Sequence, residues 1–188
     1  MPGDAQATRG HLIAAAIEEF SARGLAGGRV DRIAAAAHAN KAQIYHYYGS
    51  KEKLFDAAYE ALVDEIVANV PPDAGDPVAY AGRLFDEYER RPELRRMSAW
   101  RRLERGAADP LLEPIVSTNR ANIRAIAEAQ NAGRISDRFA PVDLLALVLS
   151  IAAMWPALGP EISADVRKHS KARRRKVITD AVTALIAV

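Results

Sequence analysis

From Ala7 to Arg23 the apolar positions are Leu12, Ile13, Ala16, Ile17 and Phe20. They recur at three- and four-residue steps, which places them along one face of a helix. Gly24 stops that pattern. After Gly27-Gly28, the positions Val30, Ile33, Ala34 and Ala37 make a second, short helical face. Asn40 supplies an N-cap for a third helix, Lys41 to Tyr48, which Gly49 closes. Ser50 caps a fourth, carrying Leu54, Phe55, Ala58, Leu62, Ile66 and Val70 before Pro71-Pro72 ends it.

A turn cluster, Val70 to Pro77, precedes longer patterns. Pro77 to Arg91 carries Val78, Ala81, Leu84, Phe85 and Tyr88, and Pro92 opens a helix with Leu94, Met97, Trp100 and Leu103. Ala107 to Pro110 punctuates. A helix then runs from about Leu111 to Asn131, with Pro114 in its first turn and Gly133 as its stop. Pro141 to Leu158 is apolar almost throughout, so it is expected to be buried on every side. "GPEIS" reads as a loop, and the last helix, about Ala164 to Val188, carries Val177, Ile178, Ala181, Val182, Leu185 and Ile186. No stretch alternates as a strand does. The fold class expected is all-α.

The third helix has a chemical asymmetry. Ile44 is its one large aliphatic residue, and Tyr48 lies four later on the same side. Those two are expected to face inward. Lys41, Ala42, Gln43, Tyr45, His46 and Tyr47 then fall largely on the other sides. Packing of the rings against neighbouring helices is one use for them. Two short helices joined by a tight turn, the second opening at a capping Asn, offer another: a helix-turn-helix with its second helix in a major groove. Gln pairs with adenine, Lys reaches guanine O6/N7, Ala touches a thymine methyl, and Tyr and His bond phosphate oxygens. Lys51, with the free N–H groups of its helix start, suits a phosphate; Arg29 suits a phosphate or a solvated position equally.

Composition sharpens this. The 188 residues carry a net charge of only +2, so a nucleic-acid function must rest on a local patch. Between Arg29 and Lys53 stand five Lys or Arg (Arg29, Arg32, Lys41, Lys51, Lys53) against Asp31 and Glu52, a local +3. There is no cysteine, which excludes disulfides, thiolate metal sites and a cysteine nucleophile. The start of the chain is no signal peptide, and no apolar run approaches the roughly 20 residues of a membrane helix. A cytoplasmic protein without membrane attachment is expected. No catalytic constellation or metal-ligand set emerges, so no enzyme activity, metal or cofactor is expected.

The segment from Thr8 to Phe55 resembles the TetR family of bacterial transcriptional repressors. The residues that carry the resemblance are Ala15, Phe20, Gly24, Val30, Ile33-Ala34, Lys41, Tyr45, Tyr48 and Ser50-Lys51-Glu52-Lys53-Leu54. It implies a DNA-binding domain over 1–52 and a helical bundle for ligand binding and dimerisation over 53–188. It also implies a homodimer through the last two helices, a double-stranded operator, and a small-molecule inducer that releases it. The apolar Pro141–Leu158 stretch and the terminal stripe both want a partner, which a symmetric dimer supplies. The chain departs from the family pattern at Gly28, where a Thr or Ser cap is usual, and at His38, where a turn glycine is usual. Ala39 and Asn40 replace a usual Val and Ser. The altered turn leaves open a helical ligand-binding protein that no longer reads DNA.

For the inducer, Phe85, Tyr88, Met97, Trp100, Met154 and Trp155 are candidate pocket walls, with Asn119, Arg101 and Arg102 as polar anchors. Each apolar member is equally what a plain core contains. The densest basic run, Val166 to Lys176, is expected to be a solvated face at the start of the last helix.

Overall fold

The computed structural model describes residues 2–72, 76–106 and 109–188. Parts of two expected turns, at 73–75 and 107–108, lie outside the described residues. Ten helices and no strand are found among the described residues: α1 (Pro2–Gly27), α2 (Val30–Ala36), α3 (Lys41–Tyr48), α4 (Lys51–Asn69), α5 (Pro77–Arg90), α6 (Pro92–Arg105), α7 (Glu113–Asn131), α8 (Pro141–Ala152), α9 (Pro160–Val166) and α10 (Lys171–Ile186). They form two compact units, 1–66 with 91–112, and 67–90 with 113–188. A single division after residue 52 does not describe this, because most of α4 and all of α6 belong with the first three helices.

The first unit closes over Leu12, Ala16, Phe20, Ile33, Ile44, Leu54 and Phe55, all fully buried. The Phe20 and Phe55 rings meet edge to face, 5.2 Å between centroids. The helical run of α1 breaks at Gly24, whose φ of 72° suits a residue without a Cβ. A Cβ there would also lie 2.8 Å from the Trp100 ring. That ring belongs to α6, which packs along α1 and donates its indole N–H to the Ser21 carbonyl (3.3 Å). One turn on, the Glu104 carboxylate receives the Leu25 and Ala26 N–H groups that follow the break (2.8 and 3.2 Å). Trp100, expected as a pocket wall, therefore serves the α1–α6 contact, and Met97 on the same helix, also expected as a pocket wall, is fully buried.

Between α2 and α3 the chain reverses through a left-handed helix stop. His38 N–H bonds the Ala35 carbonyl (3.2 Å) and Ala39 N–H the Ala34 carbonyl (2.9 Å). His38 itself has φ 51°, the one positive φ on a non-glycine residue among the described residues. The departure at this position thus keeps the turn's geometry and carries backbone strain.

In the second unit, α5 packs on α8 and α10, and α7 on α8. Tyr80, Leu84, Phe85, Ile126, Leu144, Val148, Ile178 and Val182 form its core. Four expectations are corrected here. The apolar stretch from Pro141 ends as a helix at Ala152 and continues as one 3-10 turn, Trp155–Ala157, which Pro156 enforces. It is also buried on one side only: Leu144, Leu145 and Val148 are covered, while Val142 is 56% exposed. "GPEIS" opens α9, with Pro160 at its first position, and the last helix begins at Lys171, where Ser170 caps it through the Arg173 N–H (3.2 Å).

The basic run is likewise not simply solvated. Arg174 grips Glu89 with both terminal nitrogens (2.9 and 2.6 Å), and Asp86 takes Arg175 (2.8 Å) and Lys171 (3.2 Å). Burial raises the Asp86 pKa, but the Arg175 and Lys171 bonds outweigh it and hold the group below its ordinary value. These pairs lock α10 to α5. None of the described helices is long and apolar enough to cross a membrane.

The strain at His38 gives a direct test. His38→Gly is expected to stabilise the protein by about 1 kcal/mol in urea unfolding, because glycine adopts the left-handed turn without a Cβ clash. A loss of stability would show that the His38 side chain contributes more than its backbone costs.

Candidate nucleic-acid interface

A helix of eight residues does not hold alone in water, so α3 depends on its ends and its buried side. Its start is a reciprocal capping box. The Asn40 side chain accepts the Gln43 N–H (2.9 Å), and the Gln43 side chain accepts the Asn40 N–H (2.9 Å). The departure to Asn40 thus provides a full cap, and the Gln43 carbonyl is committed to it. Ile44 anchors the buried side at 0% exposure. Tyr48 is half-buried, its hydroxyl donating to the Arg9 carbonyl (3.4 Å), and burial pushes its pKa up.

Lys41, Ala42, Tyr45 and His46 are left exposed, Tyr45 by 44%. Tyr47 is half-buried, with the Arg9 guanidinium 4.9 Å from its ring centre and the His46 ring 5.3 Å away. An exposed face carrying a cation, an imidazole, a phenol and a methyl group has the donors and contacts that base edges and phosphates require.

The cations around this face are already engaged. Lys41 Nζ lies 3.0 Å from Asp31 on α2, and Arg29 reaches the other oxygen of the same carboxylate at 3.7 Å. The bond to Lys41 lowers the Asp31 pKa, and the same bond raises that of Lys41. Lys51 turns its ammonium to the carbonyls of Gly28 (3.3 Å) and Ala26 (3.4 Å), tying the start of α4 to the α1–α2 junction.

The start of α2 lacks a cap of its own. Arg29, its N-cap, makes no side-chain bond there, and Gly28 is pressed so close to Phe20 that a Cβ would sit 2.5 Å from the ring. The cap comes from α1 instead: Glu19 Oε1 accepts the Arg29 N–H (2.9 Å) and the Arg32 Nε–H (2.8 Å). Burial raises the Glu19 pKa, but Arg32 and the Arg29 N–H outweigh it, so the carboxyl titrates below its ordinary value. Residue spacing does not mark Glu19 in the sequence. The signal was an absence: a helix start with neither Ser, Thr, Asp nor Asn must find its acceptor elsewhere.

In the second unit the candidate pocket residues have different surroundings. Phe85 is 2% exposed beneath the Arg174 guanidinium. Trp155 donates its indole N–H to the Arg174 carbonyl (3.3 Å) and lines a separate space of about 320 Å³ beside α9. Tyr88, Asn119 and Met154 are half-buried. One turn beyond Asn119 stands Asn122, 4% exposed, its amide turned to the Tyr80 hydroxyl, whose pKa burial raises and Asn122 in part lowers again. It borders a cavity of about 10 Å³ with Tyr80, Ile126, Leu145 and Val148. Of the two asparagines one turn apart on α7, Asn122 is buried and Asn119 half-buried.

Two family models match this chain. "Bacterial regulatory proteins, tetR family" covers residues 12–58, and "Tetracyclin repressor-like, C-terminal domain" covers 76–183. The chain belongs to the TetR family. This TetR-family chain is 36% identical over 160 residues to the HTH-type transcriptional repressor SCO4008 of Streptomyces coelicolor, spanning 85% of this chain and 83% of that protein. It is also 36% identical over 109 residues to the HTH-type transcriptional repressor NicS of Pseudomonas putida, spanning 54% and 51% of the two. The crystal structure of the Streptomyces coelicolor regulator SCO4942 superposes with a TM-score of 0.85 at 36% identity, over 95% of this chain and 98% of that one. Like its relatives, the protein is a helix-turn-helix transcriptional regulator.

Glu19→Ala is expected to cost about 1–2 kcal/mol in urea unfolding at pH 7, the range for a lost cap. Because the folded-state pKa is lowered, the Glu19 contribution is complete above the ordinary glutamate value of about 4.3. It is lost as pH falls through the lower folded value. The deficit of the variant should therefore shrink in acid; a deficit independent of pH would place the loss in packing.

Proposed function

We propose that this TetR-family chain is a transcriptional repressor, acting in the cytoplasm as a homodimer that holds a double-stranded operator with α3 and leaves it when a small molecule occupies the second unit. The observation that carries the reading is the sidedness of α3: Ile44 is fully buried, while Lys41, Ala42, Tyr45 and His46 face outward from a helix capped at its start. Lys41 and Ala42 suit base edges, and Tyr45 and His46 suit phosphate oxygens. Gln43 keeps its amide donors for a base, Arg29 adds charge at the rim, and Tyr47 offers its edge beside Arg9. Lys51 acts by holding the α4 start in place.

Two α3 helices about 34–36 Å apart would meet successive half-sites. Support for a dimer through α8 and α10 comes from Val142 and Val177, which one chain leaves 56% and 38% exposed. Support for an effector site comes from Asn122 and Tyr80, a buried polar pair that borders an otherwise apolar cavity between α5, α7 and α8. The small present volume requires α5, α7 and α8 to part around the ligand. Such a ligand lowers operator affinity only as far as it prefers the opened form.

A duplex selected by the protein from a random-sequence pool supplies the test. Tyr45→Ala should weaken binding to that duplex about tenfold, the worth of one lost hydrogen bond with its packing, without loss of helix content. Undiminished binding would remove α3 from the interface. Once an effector is found by screening for release of that duplex, Asn122→Leu should raise the concentration needed for half-release about tenfold and leave DNA binding alone. Unaltered release would place the effector elsewhere.

A further inference from the structure

The carboxylate of Asp31 is the acid that meets the outward face of α3. It stands in the first turn of α2, and both cations it holds, Lys41 and Arg29, belong to the proposed interface. All three side chains are more than half exposed. An exposed pair of this kind contributes little to folding. A negative charge on a DNA-facing surface also opposes the phosphates, whose charge is the main source of non-specific affinity. The pair is therefore costly for binding DNA in general and of little use to the fold.

We propose that Asp31 is a specificity-determining positioning residue that acts through Lys41, suppressing attachment to unselected DNA more than attachment to the operator. An ammonium carries three N–H donors. With one on Asp31, two remain for guanine O6 and N7, so Lys41 can contact a base edge without leaving its partner. On unselected DNA the gain is nearly all phosphate neutralisation. There Lys41 must give up Asp31, and the bare carboxylate is left against the backbone. The same residue type at the start of α2 also favours the helix dipole, but that role does not involve Lys41.

The inference rests on the DNA-binding reading above. The full-length protein is titrated by fluorescence anisotropy with the duplex it selects from a random pool and with a random-sequence duplex of equal length, across a salt series. Asp31→Asn is expected to tighten the random duplex about threefold or more and to steepen its log–log salt dependence by about one unit, the signature of one released cation. The selected duplex should shift less, by under about twofold, so that the ratio of the two affinities falls. Asp31→Glu should retain the wild-type ratio. In a Lys41→Gln background, adding Asp31→Asn should leave the ratio where Lys41→Gln puts it. An unchanged ratio in Asp31→Asn overturns the proposal, as does an equal fall with Lys41 absent. If Asp31→Asn loses helix content, Asp31→Ser, uncharged and a good residue for a helix start, takes its place with the same expected result. A pool that yields no preferred duplex overturns the DNA-binding reading and this inference together; a preferred duplex with an unchanged ratio overturns this inference alone.

Discussion

The Glu19 carboxylate fixes where the helix-turn-helix begins. Helices of seven and eight residues cannot persist without tertiary support, and α2 has no cap of its own. Glu19 supplies the missing acceptor from α1, and the same oxygen draws in Arg32. Gly28 lets the chain pass against Phe20 just before that point. Once α2 is set, the left-handed turn at His38 and the Asn40–Gln43 box carry its placement on to α3. The outward face of α3 is the last link of that chain of constraints. Its precision derives from a carboxylate on a different helix.

A similar logic runs through both ends of the chain. In the first unit, α6 is joined to α1 where α1 is broken: Trp100 fills the space at Gly24, and Glu104 takes the N–H groups beyond it. In the second unit, Arg174 and Arg175 fasten α10 to Glu89 and Asp86 of α5. Charge that looks excessive in sequence is here spent on joining helices. The patch around α3 follows the same rule, since Arg32, Lys41 and Lys51 all have partners within the protein. A duplex meeting this patch would exchange partners with it, for a free energy smaller than a count of cations suggests.

What the sequence revealed was local. The helical steps of apolar residues, the Asn40 cap, the burial of Ile44 and the exposure of Tyr45 all follow from positions three or four apart. The unusual His38 was visible as a turn without its glycine, and the structure gives it the left-handed φ that glycine usually takes. What stayed hidden was long-range. Glu104 meets Leu25 across 79 residues, and Arg174 meets Glu89 across 85. No spacing rule announces such pairs. Asn122 shows a second limit: residue type alone does not separate it from Asn119, and the rotation of α7 buries Asn122 while Asn119 stays half-buried. The stretch from Pro141 shows a third. Its composition implied burial on all sides, yet one chain covers only half of it.

The central claim is that a single face of α3, held by caps on neighbouring segments, meets the duplex. A crystal structure of the protein with its selected duplex measures this most directly. The account predicts Lys41, Ala42, Tyr45 and His46 in contact with the major groove and its flanking phosphates, Ile44 still enclosed, and two α3 helices about 34–36 Å apart. A duplex lying instead along the basic residues of α10, with α3 clear of the groove, would contradict it.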